Sequence, residues 1–259
     1  MKLHNLFIII FSCSILSLAS CSYEPTFDFT SLKQECDSKG ISLYNDNSYI
    51  IVMPKDTTST GIVYYPGALV SYESYLPLMI KIAEEGIACV LVQMPSDFAF
   101  TNMNAALRVV NRYDDIKSWY ISGHSLGGAM AASFIASNAS DFKGIIFMAS
   151  YSTSDLNNLG LRALSIYGSN DQVLNTASYS KYRPNLPGTI VSQSIDYNQS
   201  ESYTFSFDAN TESAELIING GNHAGFASYG KQKGDGDATI SNDSQHIITA
   251  KAIKAFIGL

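Results

Sequence analysis

The chain has little charge and few cysteines for its length. Only 15% of its 259 residues are Asp, Glu, Lys or Arg, and acids outnumber bases 23 to 16, for a formal net charge of −7. No run of Lys or Arg occurs. A basic patch able to track a phosphate backbone is therefore missing, which excludes nucleic acid as an expected partner. There are four cysteines, without a C-x-x-C pair or a Cys/His spacing typical of metal ligands, so neither a metal site nor a cofactor is expected. Internal repeats and low-complexity tracts are also missing. What remains is a chain that is 46% hydrophobic, a composition that argues against global disorder. Sixteen tyrosines and thirteen phenylalanines would suit an apolar pocket and a plain core equally well.

The longest apolar run, Leu6 to Leu18, falls short of a comfortable membrane span. With Lys2 before it and small residues after it, the run has the layout of a secretory signal peptide over residues 1–20. Its end, Leu18-Ala19-Ser20-Cys21, resembles a bacterial lipobox, which implies that Cys21 is lipidated and becomes the mature N-terminus. The expectation is an exported protein, held at the bacterial cell membrane or envelope by its lipid. Removal of residues 1–20 takes away one lysine and no acid, moving the net charge from −7 to −8. Lipid rather than charge would then provide the attachment. Of the remaining cysteines, Cys89 lies in an apolar run as a small buried hydrophobe; nothing in the sequence fixes a Cys36–Cys89 disulfide.

After a tether and N-terminal segment at 21–40, the region 41–259 reads as one α/β domain. Strands are expected at 49–53, 61–65, 87–93, 119–122, 144–148, 163–167 and 215–219. Helices are expected at 74–85, 101–112, 126–138 and 244–256. Short continuous apolar strands alternating with helices indicate a mostly parallel central sheet with helices on both faces. The stretch 184–211, rich in Ser, Asn, Asp and Tyr, reads as a surface excursion with local strand at 202–207.

Gly123-His124-Ser125-Leu126-Gly127 lies between the strand at 119–122 and the helix that follows. A strand–turn–helix of this kind lifts a serine to the apex of a strained turn, and the flanking glycines relieve crowding there. The pattern alone arises by chance in about one chain in ten of this length. Order along the chain adds to it. Asp171 follows the strand at 163–167 by a Gly168-Ser169-Asn170 turn, and His223 follows the strand at 215–219 by Gly220-Gly221-Asn222. Ligands of such sheets sit beyond the carboxyl ends of the strands, where all three residues fall. A serine nucleophile needs a base within reach, and the base needs a carboxylate to set its tautomer.

His223 is the expected base. His124 lies within the turn, its side chain expected to point away from Ser125, and His246 opens the last helix as a surface residue. Asp171 is the expected acid, with Asp155, whose alternative reading is a cap, as its rival. Two backbone donors are needed where negative charge develops: Leu126 at the start of the helix, and Ala68 in the Pro66-Gly67-Ala68-Leu69 turn, with Gly67 and Leu69 as neighbouring alternatives. The Gly234-Asp235-Gly236-Asp237 segment lacks the remaining ligands of a calcium loop and reads as structural.

These motifs, together with Tyr64-Tyr65-Pro66-Gly67-Ala68, Val92-Gln93-Met94-Pro95, Tyr167-Gly168-Ser169-Asn170-Asp171 and the block from Gly220 through Asp237, resemble the α/β-hydrolase superfamily, in particular a group of small bacterial members of poorly defined specificity. The likeness runs from about Ile41 to Phe256; the stretch 184–211 is longer than the pattern. It implies Ser125, Asp171 and His223 as a catalytic triad; the expected activity is hydrolysis of a small-molecule acyl substrate, with acyl transfer through the same intermediate, or a non-catalytic surface lipoprotein on a hydrolase fold, as the alternatives. Lids of that superfamily fall before the strand that precedes the acid. Here that interval, 149–162, is too short for a helical cap, so no substantial lid domain is expected.

Overall fold

A computed structural model describes residues 22–46 and 48–259 of the chain; the readings of residues 1–20 and of Cys21 lie outside the described residues. The strands are β1 (Ser42–Asp46), β2 (Tyr49–Met53), β3 (Thr60–Tyr65), β4 (Ala88–Val92), β5 (Ser118–His124), β6 (Gly144–Met148), β7 (Arg162–Gly168), β8 (Ile190–Ile195) and β9 (Ser213–Ile218). They form one sheet in the order β1-β2-β4-β3-β5-β6-β7-β9-β8. The β1–β2 and β2–β4 pairs are antiparallel, and every later pair is parallel.

Each parallel strand must be apolar on both faces, because helices cover both. Strand β3 shows how: Ile62 and Tyr64 face one core, Val63 and Tyr65 the other, and all four are fully buried. The first core is closed by α2 (Leu76–Glu84) and α6 (Asn242–Ile257), the second by α3 (Ala105–Val110) and α4 (Leu126–Ile135). The chain leaves β3 for β4 on one side and then crosses to β5 on the other. That reversal of strand order falls at the carboxyl ends of β3 and β5, where the Pro66 turn and Ser125 lie, the place at which sheets of this kind bind ligands.

Besides the added edge strand β1, four local differences from the expected elements have physical causes. Helix α1 (Phe29–Lys39) forms inside the 21–40 tether and N-terminal segment, for which no helix is expected. Asp28 caps it by accepting the Ser31 amide at 2.7 Å, and Gly40 ends it at φ 72°. Only Leu32 and Cys36 of this helix are buried, so it carries no apolar stripe to reveal it. The helix expected at 101–112 is broken: a short 3-10 turn covers Ala99–Asn102, and α3 begins at Ala105. The Tyr65 hydroxyl causes the break, donating to the Met103 carbonyl at 2.5 Å and accepting the Ala106 amide at 3.0 Å.

Within 184–211 the strand is Ile190–Ile195, not 202–207. Residues 202–207 alternate because Tyr203, Phe205 and Phe207 pack as a row against the first core. Their backbone is held by the Gln193 side chain, which accepts the Ser206 amide and donates to the Thr204 carbonyl in place of a strand partner. Finally, α5 (Thr176–Tyr182) follows the Asp171 turn, capped by Asn175. No helix lies between β6 and β7. Cys36 and Cys89 are both buried free thiols.

Candidate active site

Strand β5 ends at His124 and α4 begins at Leu126, leaving Ser125 alone in the turn at φ 52°, ψ −123°. This backbone is strained for a non-glycine residue and persists only where its surroundings over-determine it. Here the Ser125 amide donates to the Met148 carbonyl at 3.0 Å, and the Ser125 carbonyl accepts from Ser150 Oγ at 2.7 Å. The two flanking glycines are required by close approach rather than by their own φ. A Cβ on Gly123 would lie 2.5 Å from the Gly127 carbonyl carbon, and one on Gly127 would lie 2.3 Å from the carbonyl oxygens of Tyr65 and Pro66. The end of β3, the end of β5 and the first turn of α4 therefore meet backbone to backbone.

Asp171 and His223 are brought together from the ends of β7 and β9. His223 Nδ1 lies 2.9 Å from Asp171 Oδ2, and the two side chains are 2% and 1% exposed. The other oxygen, Oδ1, accepts the amides of Val173 at 2.9 Å and Leu174 at 2.8 Å, which fixes the carboxylate plane. With Nδ1 engaged by the carboxylate, the proton sits on Nδ1, and Nε2 is left as a base. That Nε2 is buried and has no hydrogen-bond partner among the described residues. Ser125 is half-buried, and the ring of its neighbour His124 lies against that of His223, tilted by 52° with centroids 4.4 Å apart. His223 is hydrogen-bonded through Nδ1 to Asp171, and among the described residues Ser125 Oγ makes no hydrogen bond.

His124 is the residue whose part the sequence did not reveal. Its Nδ1 lies 2.8 Å from the Tyr75 hydroxyl, and that hydroxyl accepts the Gly67 amide at 2.9 Å. All three groups are buried, so the hydroxyl proton must point at Nδ1, which makes His124 the neutral Nε2–H tautomer. Burial holds its pKa well below the usual imidazole range, and the His223 charge lowers it further. A second positive charge is thus kept away from His223.

The same chain of contacts sorts the candidate donors in the Pro66 turn. The Gly67 amide is taken by Tyr75 and the Leu69 amide by the Asp97 carbonyl at 2.9 Å. The Ala68 amide has no acceptor among the described residues. Leu126 is the first residue of α4, so its amide also lacks an intrahelical acceptor.

Asp155, the rival acid, is exposed and accepts the Asn157 amide at 2.9 Å as a turn residue. Asp235 has the larger role. Its Oδ1 accepts the amides of His223 and Gln172, both at 3.3 Å, and of Gly236 at 2.8 Å, while its Oδ2 accepts Ala224 at 2.8 Å. It therefore pins the loop that presents His223 to the loop that presents Asp171. Gln245 completes the support by clamping both backbone groups of Asn222. Among the described residues no group of three or more His, Cys, Asp or Glu is placed to hold a metal ion.

One expectation is corrected: His246 is buried in α6, not on the surface. Every residue from Ser244 to Ala250 is buried, because this end of α6 is wedged between α2 and the loop at 222–226.

The sequence model of a family described as the alpha/beta hydrolase family matches residues 61–247. No curated protein sequence matches the chain. Among solved structures, it is similar to Est1E from Butyrivibrio proteoclasticus, at 13% identity over 84% of this chain and 97% of that one, with a TM-score of 0.53. It is also similar to a dienelactone hydrolase from Anabaena variabilis, at 14% identity over 84% and 97%, TM-score 0.53. A bacterial membrane phospholipase A matches at 10% identity over 87% of this chain and 91% of that one, also with a TM-score of 0.53. At these identities the likeness shows a shared fold. Among the described residues, no helix is long and apolar enough to cross a membrane.

Proposed function

The chain belongs to the alpha/beta hydrolase family, and from that premise we propose that it is a serine hydrolase cleaving an ester or related acyl bond through an acyl-enzyme on Ser125. The observation that carries this reading is the buried His223–Asp171 pair, whose Nε2 is unpartnered and whose imidazole lies against the ring of His124, the residue that precedes Ser125 in its strained turn. In the proposed reaction Ser125 Oγ attacks the acyl carbonyl while His223 Nε2 takes its proton. Asp171 keeps the ring oriented and stabilises the imidazolium. The oxyanion is received by the Leu126 amide, strengthened by the start of α4, and by the Ala68 amide. His223 then gives its proton to the leaving alkoxide, and water, deprotonated by the same nitrogen, releases the acid and regenerates Ser125.

Solved structures of this fold include one named a dienelactone hydrolase and one named a membrane phospholipase A, names that support a lactone or ester substrate. In the same reading, Cys21 carries lipid and tethers the enzyme to the envelope membrane. A fluorophosphonate probe is expected to label the wild-type protein at Ser125, and Ser125→Ala to abolish labelling. A folded wild-type protein that stays unlabelled would sink the proposal. Profiling with p-nitrophenyl esters of graded length is expected to favour short chains, because the 149–162 interval holds no helical cap.

A further inference from the structure

The described chain begins by running across three loops of the site. The Tyr23 amide donates to the Leu69 carbonyl at 2.8 Å and the Ser71 amide donates to the Tyr23 carbonyl at 2.9 Å, a one-rung parallel bridge on Val70. These bonds grip the turn whose Ala68 amide is free. Ser22 Oγ donates to the Asp97 carboxylate, and the backbone carbonyl of that same Asp97 accepts the Leu69 amide. Leu69 and Asp97 both hold left-handed backbone, at φ 58° and 56°, conformations that non-glycine residues keep only under external support. On the other side, the Tyr23 ring packs on Tyr229 at 5.0 Å, its hydroxyl accepts the Lys233 amide at 3.3 Å, and the Thr26 amide donates to the Ser228 carbonyl at 2.8 Å. That second loop leads directly into Asp235, which pins His223.

We infer that residues 22–26 are a positioning strap for the oxyanion turn, with Tyr23 as the positioning residue, so that the N-terminal attachment and the proposed oxyanion donor Ala68 are one mechanical unit. The inference rests on the serine-hydrolase reading for its kinetic consequence. An unsupported turn would let Leu69 relax out of its left-handed conformation and swing the preceding amide away from the developing charge. Since that amide acts only in the transition state, the loss falls on kcat rather than KM. It also means that an anchor at Cys21 would directly precede the strap in the chain.

The test uses the full chain. Tyr23→Pro removes the amide that bonds Leu69. It is expected to lower kcat for p-nitrophenyl acetate at least about tenfold, part of the 10²–10³ that follows outright loss of an oxyanion donor, with KM within about twofold. Labelling of Ser125 by fluorophosphonate should slow in parallel. Asp28→Ala serves as a control: it uncaps α1 next to the strap, lowering the melting temperature, and is expected to leave kcat unchanged. Hydrogen exchange over residues 66–72 supplies a readout that needs no turnover, and it should accelerate in Tyr23→Pro. Unchanged exchange there, wild-type kcat in Tyr23→Pro, or an equal loss in Asp28→Ala each overturns the strap. A wild-type protein that is never labelled, whose exchange still responds to Tyr23→Pro, overturns the serine-hydrolase reading and leaves the strap standing.

Discussion

The Tyr75 hydroxyl sits 2.8 Å from His124 Nδ1 while accepting the amide of Gly67, so one buried oxygen ties the turn after β3 to the ring that lies against His223. Tyr75→Phe removes that oxygen and leaves a buried amide and a buried ring nitrogen unpaired. An unsatisfied buried group costs about 1–3 kcal/mol, and urea unfolding should show a loss of that size. The freed Gly67 amide also competes with Ala68 for the developing oxyanion. A fall in kcat of at least about tenfold is expected, within the range for a disturbed oxyanion hole. Unchanged kcat would mean that the turn holds its shape without Tyr75.

The two candidate acids separate cleanly by substitution. Asp171→Asn reverses the donor and acceptor roles facing His223 Nδ1 and favours the wrong tautomer. By the precedent of triad enzymes the loss in kcat is on the order of 10⁴. Asp155→Asn keeps the oxygen that accepts the Asn157 amide, and steady-state assays should find its kcat within about twofold of wild type.

Asp235 is expected to matter without touching substrate. Its two oxygens receive four backbone amides, three at Oδ1 and one at Oδ2, so the carboxylate holds the His223 and Asp171 loops together. Asp235→Asn turns a donor toward those amides and loosens the His223 loop. Asp235→Asn should lower kcat about 10–100-fold, the loss seen when the outer-shell partners of metal-bound histidines are removed, with the His223 loop likewise losing the group that orients it. A chelator should leave wild-type activity unchanged. Calcium-dependent activity would contradict this account of the segment.

The order Ser125, Asp171, His223 was legible because each residue follows the end of an apolar strand by a short turn, and such strands are recognisable without tertiary knowledge. The alternating sheet was legible for the same reason. What stayed hidden depends on partners distant in sequence. Tyr75 meets His124 across 49 positions, and Asp235 meets Gln172 across 63. Helix α1 and strand β8 lack the apolar periodicity that marks the rest: α1 buries two side chains and β8 is a half-exposed edge. Residues 202–207 have that periodicity but place it on an aromatic row, with Gln193 standing in for a strand. His246 opens a helix, ordinarily an exposed place, and is buried because α6 is covered from its first turn.

That burial makes acid sensitivity the last prediction. Desolvation pushes the His246 pKa down to about 4, opposed in part by Asp243 and reinforced by Lys81. In the unfolded chain its pKa returns to the ordinary value near 6.5. Between those values the unfolded state binds a proton that the native state refuses, so stability rises with pH across this window. Above about pH 6.5 both states are neutral and the contribution is constant; as pH falls toward 4, about 3 kcal/mol is lost. His124, held neutral by burial, acts in the same direction. His246→Gln should therefore flatten the dependence by up to one proton, about 1.4 kcal/mol per pH unit, and leave the His124 part in place. Urea unfolding at pH 4.5, 5.5 and 7 would read both slopes. A slope in His246→Gln as steep as in the wild type would show that His246 already takes up its proton in the folded protein.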